Sequence, residues 1–387
     1  MPSAYLDHAA STPMRPEAVA AVVEVLEHTP GNPSGQHGWA RAARRALDDA
    51  RDGIADLLGL HPGEVVFTSG GTEADNLAVA GVVAATGGAP VCSAAEHHAV
   101  LDVVHALGGG TIAVDPFGRV DLEHLASELA ADRSISVVSV MLANNEVGAL
   151  NDLDAVADVV AAARPAHPDG LWLHTDAVAA AAWVDVRTAA ARADLITISG
   201  HKVGGPKGVG VLGVRAGVAL APILLGGGQE RERRSGTPNL PGAVGLGVAL
   251  AVSARDRATV AARVAEQRDR LVAGLTDGLT DVRETVPGTV VDRVANIAHL
   301  SCQGVDSEAV LFLLDQAGVA ASAGSSCASG ALEPSHVVAA MGVAPDWAHG
   351  SVRLSLGWST TDDEIDLVLA AFPAALAQLR SEREPVS

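Results

Sequence analysis

Short apolar runs alternate with helix-patterned segments through the first two-thirds of this chain, and that rhythm limits the folds open to it. The runs Glu64–Thr68, Pro90–Ser93, Thr111–Val114, Ile135–Leu142, Leu171–Thr175, Asp194–Ser199 and Val209–Val214 read as strands. Between several of them Thr72–Ala85, Ala99–Leu107, Leu122–Ala131 and Leu153–Ala163 read as helices. Strands separated by helices of this length build a mostly parallel sheet with helices on its faces, an α/β fold. Ile135–Leu142 is apolar at successive positions, so both its faces are expected to be covered, as in a central strand. The pattern changes near Leu250. A long helix over about Leu246–Leu279 is followed by strands at Val294–Ser301 and Val352–Leu356 and helices at Ser307–Ala317, Ser335–Met341 and Asp362–Leu379. This is the composition of a smaller α+β unit.

The chain is long enough to bury large cores: of its 387 residues 48% are hydrophobic and only 19% charged, which argues against disorder. Acidic residues exceed basic ones by 46 to 26, a net charge of -20. Such a surface repels polyanions, so direct binding of nucleic acid or of an anionic membrane is not expected. The start carries Asp7 and His8 and no apolar core, and the apolar stretches Pro241–Ser253 and Val209–Gly228 are too short or too interrupted to span a bilayer. The cysteines at 92, 302 and 327 have neither disulfide nor zinc spacing, which suits a reducing, cytoplasmic setting.

Several segments carry residues suited to chemistry. Thr68-Ser69-Gly70-Gly71-Thr72-Glu73 joins a strand to a helix. Its glycines let backbone N–H groups approach an anion at a helix N-terminus, although an ordinary capped helix would read the same. It contains neither a P-loop lysine nor a dinucleotide fingerprint. Ser199-Gly200-His201-Lys202 ends an apolar strand, where a lysine over a cleft can join a carbonyl cofactor; Lys207, beyond Pro206, is the surface lysine for comparison. Asp176, at the end of Leu173-His174-Thr175-Asp176, can pair with a protonated ring nitrogen or cap a helix. Of the adjacent His97 and His98, one is expected in a site, His97 for stacking or proton transfer. Cys327 lies in the small, polar segment Ser322–Gly330, as an exposed and movable thiol would, whereas Cys92 lies in an apolar strand and Cys302 at the end of another, and both read as structural. Arg353 sits in a strand of otherwise small and apolar residues; its fork suits a carboxylate ligand or an internal salt bridge.

The order of these segments resembles one family. Tyr5-Leu6-Asp7-His8-Ala9-Ala10, Gly31-Asn32-Pro33-Ser34, Thr68–Glu73, Glu96-His97, Asn144-Asn145-Glu146, His174-Thr175-Asp176, Ser199–Lys202, Gly226–Glu230, Arg234-Ser235-Gly236-Thr237 and Arg353–Gly357 are similar to the motifs of the cysteine desulfurases. These are pyridoxal-phosphate enzymes of fold type I in the class V aminotransferase-like group, and the likeness runs from about residue 4 to 380. The Ser-Ser-Cys at 325–327, followed by Leu332-Glu333-Pro334-Ser335, is similar to the branch with a long cysteine loop. The resemblance implies a large cofactor domain over 15–250 and a small domain made of 1–14 and 251–387. It implies that Lys202 carries pyridoxal phosphate as a Schiff base, that Asp176 holds the ring nitrogen, and that His97 stacks on the ring and moves protons. Gly71, Thr72, Ser199 and His201 would hold the phosphate, with Thr237 reaching it from the second subunit of a homodimer. Asn145 would contact the ring. Asn32 and Arg353 would bind the carboxylate of L-cysteine. Cys327 would take the sulfur as a persulfide and pass it to an acceptor protein serving iron–sulfur assembly, tRNA thiolation or DNA phosphorothioation. Other enzymes on the same scaffold, such as selenocysteine lyases and class V aminotransferases, and a non-catalytic sulfur-scaffold subunit are the alternatives. One position departs from the family: its usual glutamine three residues after the aspartate is Ala179 here.

Overall fold

The computed structural model describes residues 3–324 and 334–381. Its strands are β1 (Ala4–Tyr5), β2 (Val65–Thr68), β3 (Ala89–Ser93), β4 (Gly110–Ile112), β5 (Ile135–Ser139), β6 (Trp172–Asp176), β7 (Leu195–Ser199), β8 (Gly210–Val214), β9 (Val282–Glu284), β10 (Ile297–Cys302), β11 (Val319–Ala320) and β12 (Ser351–Ser355). A seven-stranded sheet has the order β2-β8-β7-β6-β5-β3-β4. Only β8 runs against its neighbours; the rest are parallel to one another, so their C-terminal ends open on one edge. Every residue of β5 is buried, as the two-faced apolar pattern requires.

Helices cover both faces. On one, Ile54, Leu58, Val156 and Leu246 pack against Val138, Leu173 and Ile198; on the other, Leu77, Val82 and Val100 pack against Val66, Val137 and Leu212. A separate core forms around the antiparallel sheet β12-β10-β9, where Leu300, Val352 and Leu354 meet Leu271, Leu314 and Phe372. The N-terminal segment joins this second core. Ala4 and Leu6 are buried in it, and β1 pairs in parallel with β11. The helix Leu240–Thr276 is common to both: Leu240, Leu246 and Leu250 lie in the first core, Val264, Leu271 and Leu275 in the second. It starts earlier than the sequence pattern suggests, because Asn239 caps it by accepting the Gly242 N–H and Pro241 occupies its first turn.

Two helices, Pro16–His28 and Gly38–Leu58, were not among the sequence expectations. The second buries Ala40, Ala43, Leu47, Ile54 and Leu58 at helical spacing, but the first two are alanines in an arginine- and aspartate-rich run, so its apolar stripe is faint. Among the described residues no helix is long and apolar enough to cross a membrane.

Candidate active site

The C-terminal edge of the parallel strands is where ligands bind in open α/β sheets. Here it opens into a cavity of about 310 Å³. Strand β2 delivers the helix Gly71–Thr86 to this edge. Glu73 accepts the Ser69 N–H at 2.8 Å, and Thr68 Oγ1 donates to the Gly70 carbonyl at 2.9 Å, which fixes the turn. Gly71 faces the opposite wall closely: a Cβ there would lie 3.1 Å from Val178 and 3.4 Å from Ser199. Gly71, Thr72, Ser199 and His201 all line the cavity, so a helix N-terminus, two hydroxyls and an imidazole converge where an anion can be held.

Asp176 is the last residue of β6 and is 5% exposed. One carboxylate oxygen accepts the Val178 N–H at 2.8 Å. Burial pushes its pKa up to about 6, against the opposing pull of the Val178 N–H and the Lys202 ammonium. Lys202 closes the turn after β7 and donates to the Ala9 carbonyl, which brings the N-terminal segment to the cavity wall. His97 caps the helix His98–Ala106 by accepting the Ala99 N–H at Nδ1 (3.1 Å). Its neutral form therefore carries the proton on Nε2. Burial, then Lys202 and the neighbouring imidazoles, lower its pKa to about 4, so it is neutral near pH 7.

The opposite wall is built by a buried turn. Asn144 accepts the N–H groups of Glu146 and Val147 at 2.9 Å and donates to Ala95 O at 3.0 Å. This places Asn145 and Glu146 in the cavity lining. Arg353, in β12, lines it too and is 2% exposed. It donates to Asn145 O at 3.0 Å and pairs with Asp7 at 2.9 Å, so the internal salt bridge and the cavity position coexist.

The structure thus brings Gly71, Thr72, His97, Asn145, Asp176, Ser199, His201, Lys202 and Arg353 to one cavity. Ala179 lines it as well, and no glutamine is among the described lining residues. Asn32 and Thr237 lie elsewhere in this chain, both exposed. Asn32 accepts the Ser34 N–H at 2.9 Å, and Thr237 borders a smaller depression beside Ser69 and Arg234. Cys327 lies outside the described residues, but Gly324 before it and His336 after it both line the cavity. Cys92 and Cys302 are fully buried, and burial raises both thiols, that of Cys302 to about 12. Lys207 is exposed.

One expectation is corrected. His98 also lines the cavity, beside His97. The helix begins at His98, so the cap and the first helical residue both face the mouth; the His98 ring sits 4.6 Å from that of His336. The sequence reading gave no role to two buried acids. Asp75 and Glu96 are 1% and 0% exposed, and burial raises both pKa values well above the carboxylate range. His174 lies 3.5 Å from Asp75, bonded to Ser139 at 2.8 Å and Thr197 at 3.0 Å, and burial lowers its pKa to about 3. Asp75 stands among the buried apolar Ala74, Leu77 and Ala78, which was the available signal. Among the described residues no cluster suited to a metal ion occurs.

A lysine at a strand end, a buried acid on the neighbouring strand and a helix N-terminus line one cavity, and known proteins share this arrangement of segments. Residues 4–368 match the family described as aminotransferase class V. An IscS-like cysteine desulfurase of Mycobacterium tuberculosis is 40% identical over 97% of each chain. A cysteine desulfurase of Rhodobacter capsulatus is 42% identical over 98% of each. Among solved structures, a NifS-like protein superposes with a TM-score of 0.89 at 29% identity, over 98% of this chain and 100% of that one. DndA from Streptomyces lividans superposes at 0.73 and 32% identity, over 89% of this chain and 97% of that one. The chain belongs to the class V aminotransferase family and, within it, to the cysteine desulfurases.

Proposed function

We propose that the cavity holds pyridoxal 5'-phosphate and that the protein uses it to take the sulfur of L-cysteine onto Cys327, releasing L-alanine. The observation that carries this reading is the convergence of Lys202, Asp176 and the Gly71–Thr72 helix start on one cavity whose lining also includes Gly324 and His336, which precede and follow Cys327 in the sequence. The residues fit the cofactor. Gly71 leaves room for a phosphate at a helix N-terminus, and the buried Asp176 has few counter-charges apart from Lys202, so a ring N–H would stabilise it. The cofactor supplies a carbonyl carbon for amines and a ring that takes up the electron pair left at the substrate α-carbon.

The protein's own groups do the rest. Gly71, Thr72, Ser199 and His201 hold the phosphate, and Asn145 contacts the ring. The neutral His97 stacks on the ring and exchanges a proton through Nε2. Lys202 Nζ takes the α-proton, and Arg353 and Asn32 bind the substrate carboxylate. The Cys327 thiolate then attacks the substrate sulfur. An S–S bond forms, the C–S bond breaks, and its electron pair stays on the β-carbon, which is protonated to give alanine. Cys327 keeps the persulfide until an acceptor protein removes it.

We further propose a homodimer divided into domains at 15–250 and at 1–14 with 251–387. The exposed Thr237 and the exposed Ile223, Leu224 and Leu225 on the same loop favour a second copy, whose cofactor phosphate Thr237 would reach. The test is turnover of free L-cysteine with a reductant. Alanine should form in amounts matching sulfide, and Cys327→Ser should stop it. Alanine formation that survives Cys327→Ser would favour a lyase that needs no cysteine.

A further inference from the structure

The guanidinium of Arg353 is buried, yet among the described residues it forms one ion pair, with Asp7. Nη2 donates to Asp7 Oδ1 at 2.9 Å, while Nη1 is spent on the carbonyls of Asn145 (3.0 Å) and Gly324 (3.4 Å). Nε is buried with no hydrogen-bond partner among the described residues, on a residue that lines the cavity. A second acid near it among the described residues is Glu146. Ser335 Oγ donates to one of its oxygens at 2.6 Å, and burial raises its pKa, which favours the neutral carboxyl. His299, also beside Arg353, is buried and held neutral, its pKa lowered to about 3. Asp7 itself is not part of the cavity lining; it reaches Arg353 from the N-terminal segment. Its backbone is anchored there by a bridge to Ser355 and by a turn in which its carbonyl accepts the N–H groups of Ala10 (3.0 Å) and Ser11 (3.2 Å).

We propose that Asp7 is a resident carboxylate on Arg353 that the carboxylate of the substrate must share or displace, so that Asp7 sets how weakly amino acids bind. This rests on the reading that Arg353 receives the substrate carboxylate. A buried cation cannot stand unpaired without a large destabilisation, so Asp7 stabilises the ligand-free protein. A substrate carboxylate arriving at Nε brings a second negative charge to the same guanidinium, and the two acids repel. Removing Asp7 therefore destabilises the ligand-free form more than the liganded one. By linkage the ligand binds more tightly. Asp7 is a positioning residue of the substrate site, one that acts through Arg353 against tight binding.

The experiment uses the holoenzyme and two probes differing only in the carboxylate, L-alanine and ethylamine, each titrated by its effect on the visible spectrum. Asp7→Asn is expected to bind L-alanine roughly tenfold more tightly than wild type, with ethylamine unchanged and a lower KM for L-cysteine. The variant should melt below wild type, and L-alanine should raise its Tm by more. Asp7→Glu keeps the charge and folds more readily, and should stay near wild type in both titrations. L-alanine bound equally or more weakly by Asp7→Asn, or a gain shared by ethylamine, would overturn the proposal. A wild type that does not distinguish the two probes would instead sink the carboxylate role of Arg353, and this inference with it.

Discussion

Asp176→Asn should make the cofactor-free protein more stable while impairing it as an enzyme. Burial raises the Asp176 pKa from an ordinary carboxylate value to about 6 in the folded state. A shift of about two pH units corresponds to roughly 3 kcal/mol at about 1.4 kcal/mol per unit. The sign follows from proton counting. Between roughly pH 4 and 6 the folded chain holds a proton that the unfolded chain has lost, so wild-type stability falls as pH rises through that window and the loss is complete above it. Asn carries no such charge, and its side-chain oxygen can still accept the Val178 N–H. The variant should therefore match wild type near pH 4 and exceed it by up to about 3 kcal/mol at pH 8. Asp75 and Glu96 do not reverse this, since both are held toward their neutral forms. The assay is denaturant unfolding of cofactor-free protein from pH 4 to 8, with cofactor affinity and turnover measured in parallel. A variant less stable than wild type at pH 8, or a difference that does not change with pH, would refute the argument that burial dominates at this carboxylate.

Three further outcomes are expected. Borohydride should fix the cofactor to wild type and to Lys207→Ala but not to Lys202→Ala, as peptide mapping would report; fixation lost equally in both variants would undo the assignment. Ala179→Gln should restore a donor to the charged phenolic oxygen of the cofactor. At about 1.5–3 kcal/mol for such a bond, affinity or rate should rise by roughly one to two powers of ten, less if water already serves there. Cys92→Ser and Cys302→Ser should keep turnover but lower stability by about 1–3 kcal/mol, since each places a hydroxyl among buried apolar groups; thermal melts with activity assays would check both.

Much of this architecture was legible because pattern and environment agree. The seven runs read as strands all became strands of the large sheet, since period and apolar content report burial directly. The cavity positions of Asp176, Ser199 and Lys202 were legible for the same reason, since each stands where an apolar run stops. What escaped was set by tertiary neighbours. Nothing in the local pattern says that Asp75 stands against His174 or that Glu96 is wholly buried. The pairing of Asp7 with Arg353 joins the two ends of the chain, beyond any local period. Only one of the adjacent His97 and His98 was expected in the site, but His97 caps the helix that His98 begins, and both line the cavity. The Gly38–Leu58 helix was hidden because alanine in an arginine-rich run marks a buried face weakly.

In the proposed reaction the sulfur of L-cysteine comes to rest on Cys327. Its most direct test is mass spectrometry of the protein after one turnover with sulfur-labelled L-cysteine and no reductant, with peptides covering all three cysteines. One added labelled sulfur is expected on the Cys327 peptide, with one alanine released per persulfide and with Cys92 and Cys302 unmodified. Labelled sulfur on Cys92 or Cys302, or alanine formed with no protein-bound persulfide, would contradict it.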